Sequence, residues 1–213
     1  MKKWGTKMDN IGLVEHCKKA LEEKWGYVWG TFGQILTPAL FEYKLKQYPL
    51  EIGQYKDYIQ SNYLGKRTVD CVGLIKSYLW WDGKNPLYKA ETDKTADVLF
   101  QMAVEKGNIS TLPDIGGVAV YYKGHIGVYV GNGKVIEARG TKYGVVETNL
   151  VDRPWTHWCK VPFVKYDDGP HWAEDSYSYL KERIVVHEKR FNDPVTRGEV
   201  FALLAQVVSL LDE

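Results

Sequence analysis

The stretch KGHIGVYVGNGKVIEARG, residues 123–140, constrains this chain more than any other, because apolar residues alternate on both sides of a Gly-Asn-Gly centre. Period-two alternation puts successive side chains on opposite faces of a strand, and the glycine-rich centre supplies the backbone angles of a tight reversal. With Gly131, Asn132 and Gly133 as a three-residue loop, Val130 faces Lys134, Val128 faces Ile136 and Ile126 faces Ala138, which makes one face apolar. The other face carries His125, Gly127 and Tyr129 beside Val135, Glu137 and Arg139, with Glu137 the diagonal neighbour of His125. A strict two-residue Asn-Gly turn would put His125 and Glu137 on opposite faces. The apolar pattern therefore selects the register that brings an imidazole to a carboxylate.

Elsewhere the pattern divides the chain into a helical and a β half. Residues 11–24 place Leu13, Val14, Cys17 and Leu21 at helical spacing, an amphipathic helix. WGYVWGTFGQ follows, rich in aromatics and glycine, and residues 37–65 show no clean period, which predicts an irregular insertion with short helical pieces. From Thr68 onward, Leu74, Ile75, Tyr78 and Leu79 share a helical face. Thr68 or Asp70 can accept from the first free amides, so Cys71 falls in the first turn. A helical stretch around residues 95–105 precedes residues 116–164, which read as strands. The fold class is α+β, with Cys71 on a helix and His125 on a strand. Asp-Asp-Gly-Pro opens a linker, and residues 172–183 form a short helical piece. Thr196 and Glu199 have the spacing of a capping box before Val200, Leu203, Leu204, Val207 and Leu210. Two domains are expected, residues 1–165 and a small helical module at 166–213.

Composition narrows the classes of function. With 28 Lys plus Arg against 27 Asp plus Glu, the formal charge of +1 offers no footprint for sequence-independent binding to nucleic acid. No apolar run approaches the roughly 18 to 20 residues of a spanning helix, and the start MKKWGTKMDN has no apolar segment after its basic residues, so neither a membrane span nor a Sec leader is expected. Cys17, Cys71 and Cys159 are too few and too dispersed for a disulfide scaffold or a zinc site.

A thiol at a helix start meets free amides and the positive end of the dipole, which favour thiolate and can later hold an oxyanion. Cys71 has that placement, whereas Cys17 and Cys159 read as small buried hydrophobes. A nucleophile on a helix start, a base on a strand and an orienting acid on the next strand make the Cys-His-acid arrangement of nucleophilic catalysis.

WGYVWGTFG, DCVGLIKSYL and GHIGVYVGNGKVIEARG, in that order over residues 11–164, resemble the three motif blocks of the NlpC-type cell-wall peptidases, a papain-like cysteine peptidase family. The resemblance implies a papain-like fold in which the Cys71 helix packs on an antiparallel sheet carrying His125. It implies a peptidoglycan hydrolase that cuts an amide in the peptide stem or crossbridge, with Cys71 as nucleophile, His125 as base and Glu137 in the third position. A bond between D-glutamate and a diamino acid is the first candidate, and neither metal nor cofactor is required. It also implies a tyrosine hydroxyl near the nucleophile at Tyr27, which either assists the oxyanion and substrate or is a packed aromatic. Asp70 matches the acidic residue beside the cysteine and either contacts substrate or caps the helix. The family usually has His, Asn or Gln where this chain has Glu137, which reads as a variant triad. An N-acetylmuramoyl-L-alanine amidase on the same fold and a non-catalytic wall-binding protein are the alternatives.

The tail, HWAEDSYSYLKERIVV and NDPVTRGEVFALLAQVV, resembles a single S-layer-homology motif, which implies attachment to an anionic wall polymer through Arg197. The other reading is a helix that packs on the enzyme or joins subunits as a homo-oligomer. A wall-active chain without a Sec leader resembles a phage or prophage endolysin, made in the cytoplasm and released by a holin or another non-Sec route. The insertion at residues 37–65 either shapes specificity or covers the groove. His16, His157, His171 and His187 receive no role, and Trp80 and Trp81 either pack inward or line a groove.

Overall fold

The computed structural model describes residues 8–166, 200–202 and 204–205. The chain divides into two compact units, Met1–Asp167 and Asp168–Glu213. In the second, residues 200–202 and 204–205 are helical and exposed. Arg197, Thr196 and Glu199 lie outside the described residues.

The first unit opens with α1 (Asn10–Glu22), capped by Asp9, whose carboxylate accepts from the Gly12 amide at 2.8 Å. Strands β1 (Gly26–Tyr27) and β2 (Phe32–Ile35) come next. The insertion forms α2 (Pro38–Gln47), α3 (Pro49–Gly53) and α4 (Lys56–Tyr63). After β3 (Arg67–Val69) the chain enters α5 (Cys71–Leu79) and later α6 (Ala96–Met102), the latter capped by Thr95. The rest is sheet: β4 (Lys106–Asn108), β5 (Ala119–Tyr122), β6 (His125–Gly131), β7 (Lys134–Gly140), β8 (Gly144–Asn149) and β9 (His157–Cys159). The molecule is α+β. Six antiparallel strands in the order β4-β9-β5-β6-β7-β8 make one sheet, and β1-β3-β2 a small second one. The first sheet therefore starts earlier than residue 116, at Lys106.

Alternation along β6 and β7 decides what each sheet face meets. Ile126, Val128, Ile136 and Ala138 pack against Leu13 and Cys17 of α1 and Leu74 and Ile75 of α5. Each fully buried Leu, Ile or Val among them contributes roughly 1.5–3 kcal/mol from water exclusion. The opposite face is also covered, with Tyr129, Val135 and Trp155 in a smaller cluster with Val120. The insertion has a core of its own, Phe41, Ile52, Ile59 and Tyr63 closing on Val28 and Leu36, the last two from the segments that flank it. Trp80 packs in the main core, and Trp81, half-buried, packs against it. No helix among the described residues is long and apolar enough to cross a membrane.

The central hairpin reaches the expected faces by a different turn. Asn132 and Gly133 alone reverse the chain, with φ of +53° and +68°, and Gly131 pairs with Lys134. The three-residue loop is thus corrected to a two-residue turn, whose positive angles match the right-handed twist of the strands. The register then shifts between Tyr129 and Gly131, a bulge that absorbs one residue, so that Val128 still pairs with Ile136.

Candidate active site

Asp70 follows β3 and caps α5, its Oδ1 accepting the Gly73 amide at 2.6 Å and its Oδ2 the Gly30 amide at 2.9 Å. The two bonds tie the loop after β1 to the start of the helix. The loop runs so close that a methyl group at Gly73 would collide with the Thr31 carbonyl, so the glycine two residues after Cys71 is a steric requirement. Cys71 therefore begins the helix in a fixed position. Its Sγ lies 4.0 Å from the Gly124 carbonyl, so the thiol rests against the backbone next to His125.

His125 stands at the start of β6, and its Nε2 is 2.7 Å from Glu137 Oε2. An ionised carboxylate only accepts, so Nε2 carries the proton and Nδ1 keeps the lone pair that a base needs. Glu137 is fully buried, and every direction around its carboxylate is satisfied: Arg153 Nε donates to Oε1 at 2.7 Å, Arg153 Nη2 to Oε2 at 2.9 Å, and the Thr148 hydroxyl to Oε1 at 2.9 Å. Burial alone would raise the pKa of Glu137, but the His125 and Arg153 hydrogen bonds and charges outweigh it and hold it down at about 2. Gly127 makes the room. A Cβ there would come within 2.9 Å of Val135 Cγ1, 3.1 Å of the Trp155 ring and 3.2 Å of Glu137 Cβ. Trp155 in turn stacks on the imidazole at 5.6 Å between ring centres, with Tyr122 against it at 5.0 Å.

The helix start is opposed at Cys71 by burial. Burial, and then the charge of Asp70, push its thiol up to about 12, although the amides of Val72, Ile126 and Cys71 itself pull the other way. This corrects the expectation from helix placement, since water lost from a thiol 7% exposed outweighs the amides gained. Cys159, fully buried, is likewise pushed to about 12, and Cys17 higher still.

Tyr27 lies in β1 paired with Val69, packed in the same core cluster as Cys71. Burial, with Cys71, Asp70 and Tyr122 near its hydroxyl, raises its pKa. Both oxygens of Asp70 accept backbone amides, which is the capping reading of that residue. Cys71 opens on a cleft of about 840 Å³ whose walls include Trp29, Thr31, Lys44, Tyr48, Lys76, Asp93 and Gly124. The insertion thus contributes one wall through α2.

Of the residues expected together, His125 and Glu137 are hydrogen-bonded, and the Cys71 thiol lies against the Gly124 carbonyl next to His125. Arg153, Thr148, Tyr122 and Trp155 had no sequence signal beyond Thr148, whose strand pairs Val146 with Glu137 and leaves it diagonal to that residue. Arg153 follows a short turn of 3₁₀ helix with no periodicity. His16, unassigned, is buried and hydrogen-bonded to Ser77 at 2.7 Å, with its pKa lowered to about 3 by burial and by the charges of Lys19 and Arg67.

No protein-family model matches the chain, and no curated protein matches it in sequence. Among solved structures, NlpC2 from Trichomonas vaginalis superposes with a TM-score of 0.42 and 18% identity over 75% of this chain. The match takes in 51% of that protein, so this chain spans about half its length. The NlpC/p60 domain of the peptidoglycan hydrolase SagA superposes at 0.38, with 14% identity over 71% of this chain and 97% of that one. The peptidoglycan hydrolase RipB from Mycobacterium tuberculosis superposes at 0.40, with 17% identity over 76% and 70%.

Proposed function

We propose that this chain is an NlpC-type cysteine hydrolase that cleaves an amide within the peptide stem or crossbridge of peptidoglycan. The observation that carries the reading is the 2.7 Å bond between His125 Nε2 and Glu137, which leaves Nδ1 as a base at the strand start where the Cys71 thiol rests. In this reading the thiol proton passes to Nδ1 as Sγ attacks the carbonyl. Backbone amides at the start of α5 face the developing oxyanion. The imidazolium, held by Glu137, returns its proton to the leaving amine, and a water activated by His125 then hydrolyses the thioester. Asp70 and Tyr27 position this site in our reading.

The test is loss of turbidity of purified Gram-positive walls by the wild type and by Cys71→Ala, with mass spectrometry of the released fragments. Clearing by the wild type alone, with new amino termini inside the stem, is the expected result. Release of intact stems would replace it by the amidase alternative, and sedimentation of both proteins with intact walls by a wall-binding protein.

A further inference from the structure

Charges in the Cys71 cleft do not cancel evenly. Three aspartates and three lysines line it. Asp70 accepts the Gly73 and Gly30 amides, Asp93 takes the Lys76 ammonium and the Tyr88 hydroxyl, and Asp97 takes the Tyr121 hydroxyl and the Gly124 amide. Lys44 and Lys94 form no ion pair among the described residues. Lys44 Nζ makes one hydrogen bond there, 3.1 Å to Gln47 Oε1, out of three donors.

Lys44 is also turned inward at 8% exposure, although it sits in the last turn of α2 where Lys46, exposed, already supplies a cation for the helix end. Helix electrostatics do not explain its burial. Its ammonium lines the cleft with two donors that the described protein groups leave unmet, which an anionic ligand can take. Tyr43 and Tyr48 hold the ammonium 5.5 and 5.6 Å from their ring centres, a seat that fixes a cation without neutralising it. Asp70, next to Cys71, lies within reach of its charge.

We propose that Lys44, seated by Tyr43 and Tyr48 and assisted by Lys94, binds a free carboxylate of the substrate in the Cys71 cleft and so selects an anionic peptide. The inference deepens the hydrolase reading and rests on it for the peptide's identity as a peptidoglycan stem. Since α2 belongs to the insertion, the insertion determines specificity.

The test uses the full chain carrying Cys71→Ala and calorimetric titration with synthetic L-alanyl-γ-D-glutamyl-diamino acid peptides. One has every carboxyl free, one has the D-glutamate α-carboxyl as carboxamide, and one has the diamino acid carboxyls as carboxamides. The free form is expected to bind about tenfold or more tighter than the form lacking the group that Lys44 reads. Adding Lys44→Met or Lys44→Gln should erase that difference, and Lys44→Arg should keep it. In the otherwise wild-type chain the same neutral variants should raise KM and leave kcat unchanged. Discrimination that survives both neutral variants, or binding to none of the peptides, overturns the proposal. If the wild type leaves walls intact while the Cys71→Ala chain still prefers the free carboxylate, the hydrolase reading falls and the carboxylate site stands.

Discussion

Arg153 holds both oxygens of Glu137, Nε at 2.7 Å and Nη2 at 2.9 Å, so the residue that orients His125 is an ion pair and not a lone carboxylate. Its summed charge is zero, and the guanidinium that balances Glu137 comes from sixteen residues later. A hydrogen-bond acceptor for Nε2 is retained while the imidazole is spared an unbalanced negative charge.

Breaking that pair from one side should be worse than removing it whole. Arg153→Met leaves a buried carboxylate whose guanidinium partner is gone, and Glu137→Gln leaves a guanidinium without its carboxylate. Each single change is expected to lower stability by about 3–5 kcal/mol. The double variant Glu137→Gln with Arg153→Met restores neutrality, and should recover part of that loss and part of the activity. A double-mutant cycle on denaturant midpoints and wall clearing measures the coupling. Additive losses would show that Arg153 acts independently of Glu137.

The pair also sets an acid limit. Glu137 titrates near 2 in the fold against 4.5 for the free side chain. Because the folded value is the lower one, its contribution is complete above pH 4.5 and is lost as pH falls toward 2. The share at stake is about 3 kcal/mol. Denaturant midpoints between pH 2 and 6 should fall by that share in the wild type and not in the double variant. Parallel curves would show that Glu137 is not the group that limits acid stability.

How much of this was legible in the sequence depends on the length of each pattern. Strands β6 and β7 are seven residues each, long enough for alternation to fix their faces, and the pairing of Val128 with Ile136 follows. The turn was misread because a bulge after Tyr129 leaves no mark in the alternation of Ile126, Val128 and Val130. Strands β1 and β2 span two and four residues, too short for any period to declare them inside the aromatic, glycine-rich stretch. Arg153 was invisible because its partner is set by the path of an irregular turn. The acidity of Cys71 was misjudged since a helix start can be read from Asp70 and Gly73, whereas loss of water depends on packing from β1, β3 and β6.

Gly127 should be intolerant of the smallest enlargement. A methyl group there meets Val135, Trp155 and Glu137 together, so the Val135 side chain must shift and the Trp155 ring and Glu137 must give with it. Gly127→Ala is expected to cost about 1–3 kcal/mol and to reduce wall clearing beyond that loss, because Glu137 and Trp155 both contact His125. Thermal unfolding and clearing rate, measured together, check it. An unchanged rate at reduced stability would place Gly127 in packing alone.

A neutral resting thiol gives a distinct reactivity profile. Iodoacetamide should modify Cys71 in the native chain, and reach the fully buried Cys17 and Cys159 only after unfolding. With its thiol near 12, the Cys71 rate should climb about tenfold per pH unit through pH 9, since the thiolate fraction does. Peptide mass spectrometry of quenched samples measures each cysteine separately. A plateau already reached at neutral pH would mean a standing thiolate–imidazolium pair, and proton transfer would then precede substrate.

The insertion should behave as a fixed wall and not as a cover that swings away. Phe41, Ile52 and Ile59 are at most 1% exposed and close on Val28 and Leu36, so lifting the insertion would return all three to water. At roughly 1.5–3 kcal/mol for each, that opening is rare at equilibrium. Phe41→Ala removes the largest of them and should loosen α2, which carries Lys44. It is expected to lower stability by about 3–5 kcal/mol and to raise KM, while the alkylation rate of Cys71, set by α5 and β6, stays as it was. Hydrogen exchange of the α2 amides should accelerate in parallel. A faster alkylation in Phe41→Ala would instead make the insertion a cover over the thiol, with its removal opening the site.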